Sequence, residues 1–221
     1  MRNFFLIYLL GLASILYLSG CATESYLTLT PATVNTEGVP FMGVKKKVAV
    51  GKFDNRSTYM QGLFSDGVDR LGGQSKTILI THLQQSGRFN VLDRANLEEI
   101  AKEAEYQGVA QSVRGADYVL TGQVTEFGRK VVGDRQLYGI LGNSKVQVAY
   151  AKVSLNVVDV HTSDVVYSVQ GAGEYALSSR EVIGFGGRSG YDSTLNGKVL
   201  DLAIREAVNR LTEGVEQGAL N

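Results

Sequence analysis

The chain has 221 residues, and its 22 Lys and Arg residues balance its 22 Asp and Glu residues to give a formal net charge of zero. This balance provides no electrostatic basis for nucleic-acid binding. A single cysteine excludes a disulfide framework and a thiolate metal cluster.

The first twenty residues predict a secretory signal peptide, because Arg2 precedes an uncharged apolar run from Phe4 to Leu18. The junction LSGC, which ends at Cys21, matches the bacterial lipobox, in which small residues precede a cysteine that becomes the lipid-bearing N-terminus. The alternative is an ordinary signal peptide followed by an unrelated cysteine. A lipid on Cys21 would anchor the protein to a membrane. The residue after Cys21 is Ala22 and not Asp. By resemblance to bacterial lipoproteins, the absence of Asp at this position implies sorting to the outer membrane.

Residues 21–46 predict an extended, lipidated tether, since they hold both prolines, Pro31 and Pro40, among scattered Thr and Gly residues. After Lys47 no apolar run approaches the roughly 18 residues that a membrane-spanning helix needs. A mature chain that crosses a bilayer must therefore do so with strands.

A domain is predicted over residues 47–217. Its first strand is Lys47–Phe53, where β-branched residues alternate with others. The loop Asp54–Gly73 follows. It is long, and loops beyond about 12 to 15 residues are uncommon unless they are functional or disordered.

Two helices and two strands are predicted next. Apolar residues spaced three and four apart predict a helix over Gln74–Gly87 and an amphipathic helix over Ala95–Val109. The short strand Arg88–Arg94 separates these helices. A further strand, dense in residues that favour β-structure, spans Gly115–Phe127.

The return strand Lys145–Val160 has an apolar pattern that changes phase. Apolar groups occupy the even positions at Val146, Val148 and Tyr150, and the odd positions from Val153 onward. Since side chains alternate faces along a strand, the change predicts that the strand changes which face is covered. Either the even positions face lipid above a globular core, or a β-bulge lies within one soluble sheet.

The last strand and the last helix are predicted over Ser163–Ser179 and Ser193–Gln217, with a glycine-rich turn between them. Gly184 and Gly186 begin the dinucleotide fingerprint G-x-G-x-x-G, but Ser189 breaks it, and no Gly-Lys-Ser/Thr triplet supports a P-loop. Glycine instead permits the positive φ values that tight turns need. The predicted hairpin-tip glycines are Gly139, Gly142, Gly184, Gly186, Gly187 and Gly190.

The order of these elements predicts an α/β domain with a mixed sheet and flanking helices. No catalytic constellation accompanies it: His82 and His161 are the two histidines, and no G-x-S-x-G elbow occurs. The pair His161 and Asp159 is predicted to cap a turn and not to bind a metal. The sequence predicts neither an enzyme nor a metal or cofactor site, apart from the covalent lipid on Cys21.

The sequence resembles the curli secretion channel family (CsgG/HfaB) in five features taken together: the lipobox, RFNVLDR from Arg88, GADYVLTGQVTEFG from Gly115, LNVVDVHTSDVVYS from Leu155 and LDLAIREAV from Leu200. The resemblance runs from about Lys47 to about Val215. It implies an α/β domain similar to the anticodon-binding-domain fold, without nucleotide chemistry. It also implies two β-hairpins, at about 124–158 and 173–195.

In that family the subunits form a homo-oligomeric ring in the outer membrane, and each subunit contributes two hairpins to a shared transmembrane β-barrel. A loop after the first strand lines a central constriction, through which unfolded amyloid subunits pass. The holdfast branch of the family helps to export and anchor adhesive surface proteins. Carried over by position, the constriction loop is Tyr59–Arg70. The candidate constriction residues are Tyr59, Leu63, Phe64, Gly67 and Val68.

The resemblance therefore predicts an outer-membrane lipoprotein that forms a ring-shaped export pore, or a secretion component, for surface, adhesive or amyloid-type proteins. Its predicted partners are its own copies, the outer membrane, an unfolded exported protein and periplasmic accessory proteins. The alternative is a periplasmic, lipid-tethered ring, scaffold or regulator of an envelope machine without a full pore. Charges on the outgoing arm of the first hairpin, such as Arg129 and Lys130, favour this alternative, because charge is costly on a lipid face.

Overall fold

A computed structural model describes the backbone of residues 31–59, 68–135, 143–181 and 194–220. The chain divides into two units, Met1–Ala32 and Thr33–Asn221, and the fold below is that of the second unit. The predicted signal peptide, Cys21 and the first part of the predicted tether lie outside the described residues.

The described residues contain five strands and three helices. They are β1 (Lys46–Asn55), α1 (Arg70–Gln85), β2 (Phe89–Leu92), α2 (Leu97–Tyr106), β3 (Tyr118–Arg135), β4 (Asn143–Asp159), β5 (Val165–Glu181) and α3 (Thr194–Glu216). Their order along the chain is the one predicted from the sequence. None of the helices in these ranges has the length and apolar character that crossing a membrane requires.

The strands form one mixed sheet in the order β2-β1-β3-β4-β5. β1 pairs in parallel with β2 and β3, whereas β4 pairs antiparallel with β3 and β5. Parallel neighbours need a crossover connection, and α1 and α2 supply the two that this sheet requires. The predicted fold class, an α/β domain with a mixed sheet and flanking helices, is confirmed.

The hydrophobic core lies between one face of the sheet and the helices α1 and α3, which also contact each other. Its largest fully buried side chains come from both helices and from four strands. They are Phe89, Leu79, Leu83, Leu120, Leu155, Leu200, Ile204 and Leu211, with Val48, Val124 and Val153. Burying one such side chain stabilises the fold by about 1.5–3 kcal/mol, so this layer holds the helices on the sheet.

The other face of β3, β4 and β5 carries uncharged polar side chains that remain partly or fully exposed. Two neighbouring rows hold Thr121, Asn156 and Ser168, and Gln123, Ser154 and Gln170. The Ser168 hydroxyl donates to Asn156 Oδ1 at 2.7 Å. Antiparallel strands tolerate one water-facing side, and this composition fits that arrangement.

A β-bulge lies in β3 opposite the point where the apolar phase of β4 changes. Val124 pairs with Val153 and Glu126 pairs with Lys152, so Thr125 is the extra residue on β3. The bulge that the sequence left open as an alternative is therefore present, but in the neighbouring strand.

β4 itself does not change its covered face within the stretch whose burial is described. Its odd positions are all buried from Ala149 to Val157. The sequence predicted that the covered face of β4 would switch from the even to the odd positions, and within this stretch that prediction is wrong. Ala149 and Ala151 are small and carry a weak apolar signal, which made the larger side chains of Val148 and Tyr150 look like the covered set.

Within the described residues the first buried one is Val34, which belongs to the core and is 3% exposed. Its neighbour Asn35 donates its backbone N–H to Asn209 Oδ1 of α3 at 3.0 Å. Part of the segment predicted as a tether over residues 21–46 thus lies against the last helix.

Arg88 holds the next part of this segment, and its side chain is 3% exposed. Its Nε and Nη2 donate to Glu216 Oε1 at 2.8 and 2.6 Å, and its Nη1 donates to the carbonyl of Val39 at 2.8 Å. The guanidinium carbon lies 5.1 Å from the ring centroid of Phe41. A buried charge needs such partners, and Arg88 thereby joins the N-terminal segment to the end of α3.

Two glycines of β5 let α3 approach the sheet closely. A Cβ at Gly171 would collide with the backbone of Ala203 and Ala207, and a Cβ at Gly173 would lie 2.7 Å from the Cβ of Leu202. The backbone of α3 therefore occupies the space that side chains on β5 would need.

We expect the substitution Gly171→Ala to destabilise the protein by about 1–3 kcal/mol, because the added methyl overpacks the contact between β5 and α3. Urea unfolding followed by circular dichroism measures this difference. The matched control is Gly73→Ala in α1, where a Cβ meets no atom within 4 Å, and a gain of about 0.5–1 kcal/mol is expected. An equal loss of stability in both variants would contradict the proposed close contact.

Candidate functional site

β3, β4 and β5 continue together beyond the end of β1. β1 pairs with β3 only as far as Asn55 and Val124. From there an antiparallel ribbon of three strands extends to the pairs Arg135–Asn143 and Asn143–Glu181. We call this part, residues 125–135, 143–152 and 172–181, the ribbon.

The ribbon carries ion pairs on the face that is continuous with the polar face of the sheet. Lys152 Nζ lies 2.8 Å from Glu126 Oε1, and Lys130 Nζ lies 3.9 Å from Glu174 Oε2. These pairs are substantially exposed and contribute little to stability. They show that this face is polar in the part of the ribbon next to the end of β1.

The residues that flank positions 60–67 are held together by Asn55 and Asp69. Asn55 Nδ2 donates to the carbonyl of Tyr59 at 2.8 Å, and the N–H of Asn55 donates to Asp69 Oδ2 at 2.7 Å. The other carboxylate oxygen of Asp69 accepts from the N–H of Gly72 at 2.7 Å. We call this set the loop stem.

Asp69 also explains where α1 begins. Its side chain caps the N-terminus of the helix, so α1 begins at Arg70 and not at the predicted Gln74. A carboxylate at this position accepts a hydrogen bond from an N–H group that has no partner within the helix. The side chain of Asp69 thus caps α1 and also joins the two sides of the loop stem.

Three side chains from different parts of the chain meet above the loop stem. Asn196 Nδ2 donates to the hydroxyl of Tyr59 at 3.0 Å. The Nε and Nη2 of Arg129 donate to Asn196 Oδ1 at 3.0 and 2.6 Å. Because a guanidinium only donates, it fixes the amide with its oxygen toward Arg129 and its nitrogen toward Tyr59. We call Tyr59, Arg129 and Asn196 the junction.

Each member of the junction belongs to a different segment. Tyr59 directly precedes positions 60–67, Arg129 lies in the ribbon, and Asn196 lies in the first turn of α3. The ring of Tyr59 also packs on that of Phe127, with centroids 4.6 Å apart and planes inclined by 57°. The junction therefore sets the start of the loop, the ribbon and α3 in one fixed relation.

Both histidines take part in hydrogen bonds that stabilise the fold. His82 is buried, and its Nε2 lies 2.8 Å from Asp201 Oδ1, which joins α1 to α3. The backbone N–H groups of His161 and Thr162 donate to Asp159 Oδ1, so the predicted turn cap is confirmed. These hydrogen bonds, that from Thr162 first, hold the pKa of Asp159 below its ordinary value.

Within residues 31–59, 68–135, 143–181 and 194–220 no cluster of three or more His, Cys, Asp or Glu side chains is arranged to hold a metal ion. The junction and the loop stem therefore have a mechanical role: they hold Tyr59, the ribbon and the start of α3 together.

The structure reaches only some of the predicted site residues. Tyr59 and Val68 are the two candidate constriction residues that the structure describes, and Tyr59 is part of the junction. On the polar face of the ribbon Val148 is 6% exposed and Tyr150 is 37% exposed, with the Tyr150 ring over Gly128. The following lie outside the described residues: Cys21, Leu63, Phe64, Gly67, Gly139, Gly142, Gly184, Gly186, Gly187, Gly190 and the side chain of Val146.

Sequence reasoning missed four residues of this site, namely Asn55, Asp69, Arg129 and Asn196, in the roles that they play. Asp69 had a usable signal, since Asp is favoured at a helix N-cap. Arg129 was noticed as a charge on a strand, but its amide partner lies 67 positions away in the chain. No local pattern links two such positions.

Comparison with known proteins places this geometry in context. The model of the family described as the curli production assembly/transport component CsgG matches residues 35–219. A protein of Neisseria meningitidis serogroup B that is named as a candidate lipoprotein is 61% identical over 207 residues, which cover 94% of this chain and 93% of that protein.

Two solved structures are more distant. The PelC dodecamer of Paraburkholderia phytofirmans is 19% identical, with a TM-score of 0.37, over 77% of this chain and 91% of PelC. The lipoprotein GNA1162 of Neisseria meningitidis is 13% identical, with a TM-score of 0.36, over 78% of this chain and 99% of that one. Similarities this low transfer no property of those proteins to this chain.

We expect Tyr59→Phe to lower the free energy of unfolding by about 0.5–1.5 kcal/mol, because it removes the hydrogen bond to Asn196 and keeps the ring contact with Phe127. Asn196→Ala and the double variant complete a mutant cycle, in which the two losses should not add. Urea unfolding gives the energies. The control is Tyr106→Phe, since Tyr106 is 79% exposed, and no loss is expected there. Full additivity of the two losses would mean that Tyr59 and Asn196 do not interact in solution.

Proposed function

This chain belongs to the family of the curli production assembly/transport component CsgG, and on that basis we propose that it is an outer-membrane lipoprotein whose copies assemble into a ring that exports protein. Its cargo class is an unfolded surface, adhesive or amyloid-type protein. Periplasmic accessory proteins deliver that cargo.

The ribbon carries this proposal. A transmembrane strand of a barrel needs about 9 to 11 residues, and residues 125–135 of β3, 143–152 of β4 and 172–181 of β5 supply that length beyond the end of β1. Strands can cross a bilayer only in a closed barrel, because every backbone donor and acceptor needs a partner there. Ribbons from several copies, side by side, meet that requirement.

The junction supports the same function. In a pore the constriction has to stay aligned with the wall while cargo passes. Arg129 belongs to the ribbon and Tyr59 is the first residue of the predicted constriction loop, and both are hydrogen-bonded to Asn196. Hydrogen bonds that involve a charged group are worth about 1.5–3 kcal/mol, which suits a rigid connection.

The lipid on Cys21 keeps the packed domain near the membrane. A chain spans at most about 3.3–3.6 Å per residue, so the segment from Cys21 to Thr33 reaches about 40 Å. The proposed protein has no catalytic activity and holds no metal or cofactor beyond this lipid.

One observation favours a second function, a lipid-tethered periplasmic scaffold without a full pore. The ion pairs Lys152–Glu126 and Lys130–Glu174 lie on the ribbon within the length that a membrane strand would need. Exposed charges on a lipid face are unfavourable by about 2–4 kcal/mol for Lys at the bilayer midplane. In this alternative the ribbon packs on a partner protein in the periplasm.

Single-particle imaging of the full-length, lipidated protein in mild detergent separates the two functions. A ring whose ribbons form a strand-built belt inside the detergent is expected for the export pore. A ring without such a belt would establish the scaffold instead. Monomers alone would contradict both assemblies.

We expect Cys21→Ala to release the protein from the outer-membrane fraction, because no lipid can then be attached. Sucrose-gradient fractionation of envelopes, with immunodetection, measures this. Ala22→Asp is the matched variant: it keeps the lipid, and the sorting rule places it in the inner membrane. Outer-membrane recovery of the Cys21→Ala protein at the native level would contradict anchoring through Cys21.

A further inference from the structure

Three successive rows of paired residues at the base of the ribbon place charged and aromatic side chains on its polar face. Counted from the end of β1, the rows are Glu126–Lys152, then Gly128–Tyr150–Glu174, then Lys130–Val148. We call these rows the collar. Its four charged side chains are 40–61% exposed and Tyr150 is 37% exposed, so the described part of the domain leaves them uncovered.

The aromatic residue of the collar lies across the neighbouring strand. A Cβ at Gly128 would collide with the ring of Tyr150, so the missing side chain at position 128 makes room for this ring on β3. Tyrosine is enriched at both surfaces of a membrane, because one end of its side chain is apolar and the other end is wet. A tyrosine held on an open strand face suits such a surface.

Lys130 reaches back from its own row toward the row before it. Its Nζ lies 3.9 Å from Oε2 of Glu174, and Glu174 pairs with Tyr150 in the row nearer to β1. The row that follows Lys130 on the hairpin side pairs Val132 with Val146. A lysine at the edge of a bilayer extends its stem along apolar surface and keeps its ammonium in water. The direction of Lys130 therefore indicates that the wet side is the side of β1.

The position of Tyr59 indicates which face of the ribbon is turned outward in a ring. Tyr59 begins the predicted constriction loop, and its ring packs on that of Phe127, with centroids 4.6 Å apart. Phe127 is 4% exposed and belongs to the core on the helix-covered face, which is opposite to the collar because side chains alternate along a strand. A constriction can narrow a pore only from the lumenal side. The helix-covered face therefore faces the lumen of the proposed ring, and the collar faces outward.

The charges of the collar indicate its depth. A lysine on the lipid-facing side of a barrel is costly at the bilayer midplane, and this cost falls toward zero at the interfaces, where aromatic residues form a girdle. Lipid headgroups also supply partners for both signs of charge, since phosphates accept hydrogen bonds from lysine and amine-bearing headgroups donate them to glutamate. The headgroup layer thus suits the collar better than the apolar interior does.

We propose that the collar lies in the headgroup layer on the periplasmic surface of the outer membrane, with Tyr150 against lipid and with Lys130 and Lys152 beside lipid phosphates. This inference rests on the proposed pore. It specifies which face of each ribbon meets lipid and at which residues the bilayer begins. In this arrangement the two ion pairs belong to the membrane surface and not to the apolar interior.

Tryptophan fluorescence tests the contact, because the chain contains no tryptophan. Tyr150→Trp places a single fluorophore in the collar of the full-length lipoprotein, reconstituted into vesicles of phosphatidylethanolamine and phosphatidylglycerol. Phospholipids brominated near the glycerol end of their acyl chains should lower its emission at least about twofold, since aromatic anchors lie at the membrane surface. Phospholipids brominated near the methyl end should lower it less. Single-particle imaging of the same protein shows whether the ring and its barrel are present.

Two further variants complete the measurement. Tyr106→Trp is the matched control, since Tyr106 is 79% exposed at the end of α2, and neither brominated lipid should quench its emission. Ala176→Trp replaces an exposed alanine of β5 that pairs with Val148, and brominated lipid should quench this protein as well. It tests the same face if the larger ring at position 150 disturbs the fold.

The outcomes are distinguishable. Quenching of the Tyr150→Trp protein mainly by the shallow bromine atoms is the expected result. Stronger quenching by the deep bromine atoms would overturn the position of the collar at the membrane surface. Quenching by aqueous iodide alone, in rings that carry a membrane-crossing barrel, would overturn the outward direction of the collar and leave the pore intact. Rings without such a barrel, or monomers, would overturn the pore together with the lipid contact.

Discussion

The architecture depends on one mismatch of length: β3 continues after its neighbour β1 has ended. Up to Val124 the backbone of β3 is paired on both sides, and past that point β4 alone continues beside it. Unpaired N–H and C=O groups along a strand edge invite another strand. The bulge at Thr125 lies at this transition, and a bulge increases the local twist of its strand. The domain and the ribbon are thus two regions of the same three strands.

The resemblance predicted from the sequence is confirmed, and so is the order of strands and helices. These were accessible because each depends on local pattern: alternation in β1 and β3, and helical spacing in α1 and α3. The start of α1 was missed because a capping aspartate outweighed the two glycines that follow it. The covered face of β4 was misjudged because Ala149 and Ala151 carry little apolar signal, although both are buried.

The junction could not be derived from the sequence, and its most informative member is Arg129. As a charge on a strand it argued against a lipid-facing position. In the structure it lies on the helix-covered side, where Asn196 accepts two of its hydrogen bonds. The face of a residue after a bulge cannot be counted from residues before it, because the extra residue reverses the alternation. The extra residue Thr125 is therefore the reason that Arg129, four positions later, lies on the helix-covered face.

The hydrogen bonds of Asn209 and Arg88 to the N-terminal segment determine how tension in the proposed lipid anchor would enter the domain. A pull on the N-terminal segment would load first the hydrogen bond from Asn35 to Asn209, and then the hydrogen bond that Arg88 donates to the carbonyl of Val39. Both holding residues connect to α3, and neither lies in a strand that continues into the ribbon. Because Asn196 of α3 is hydrogen-bonded to Arg129 of the ribbon, a load on the last helix would pass on to the ribbon.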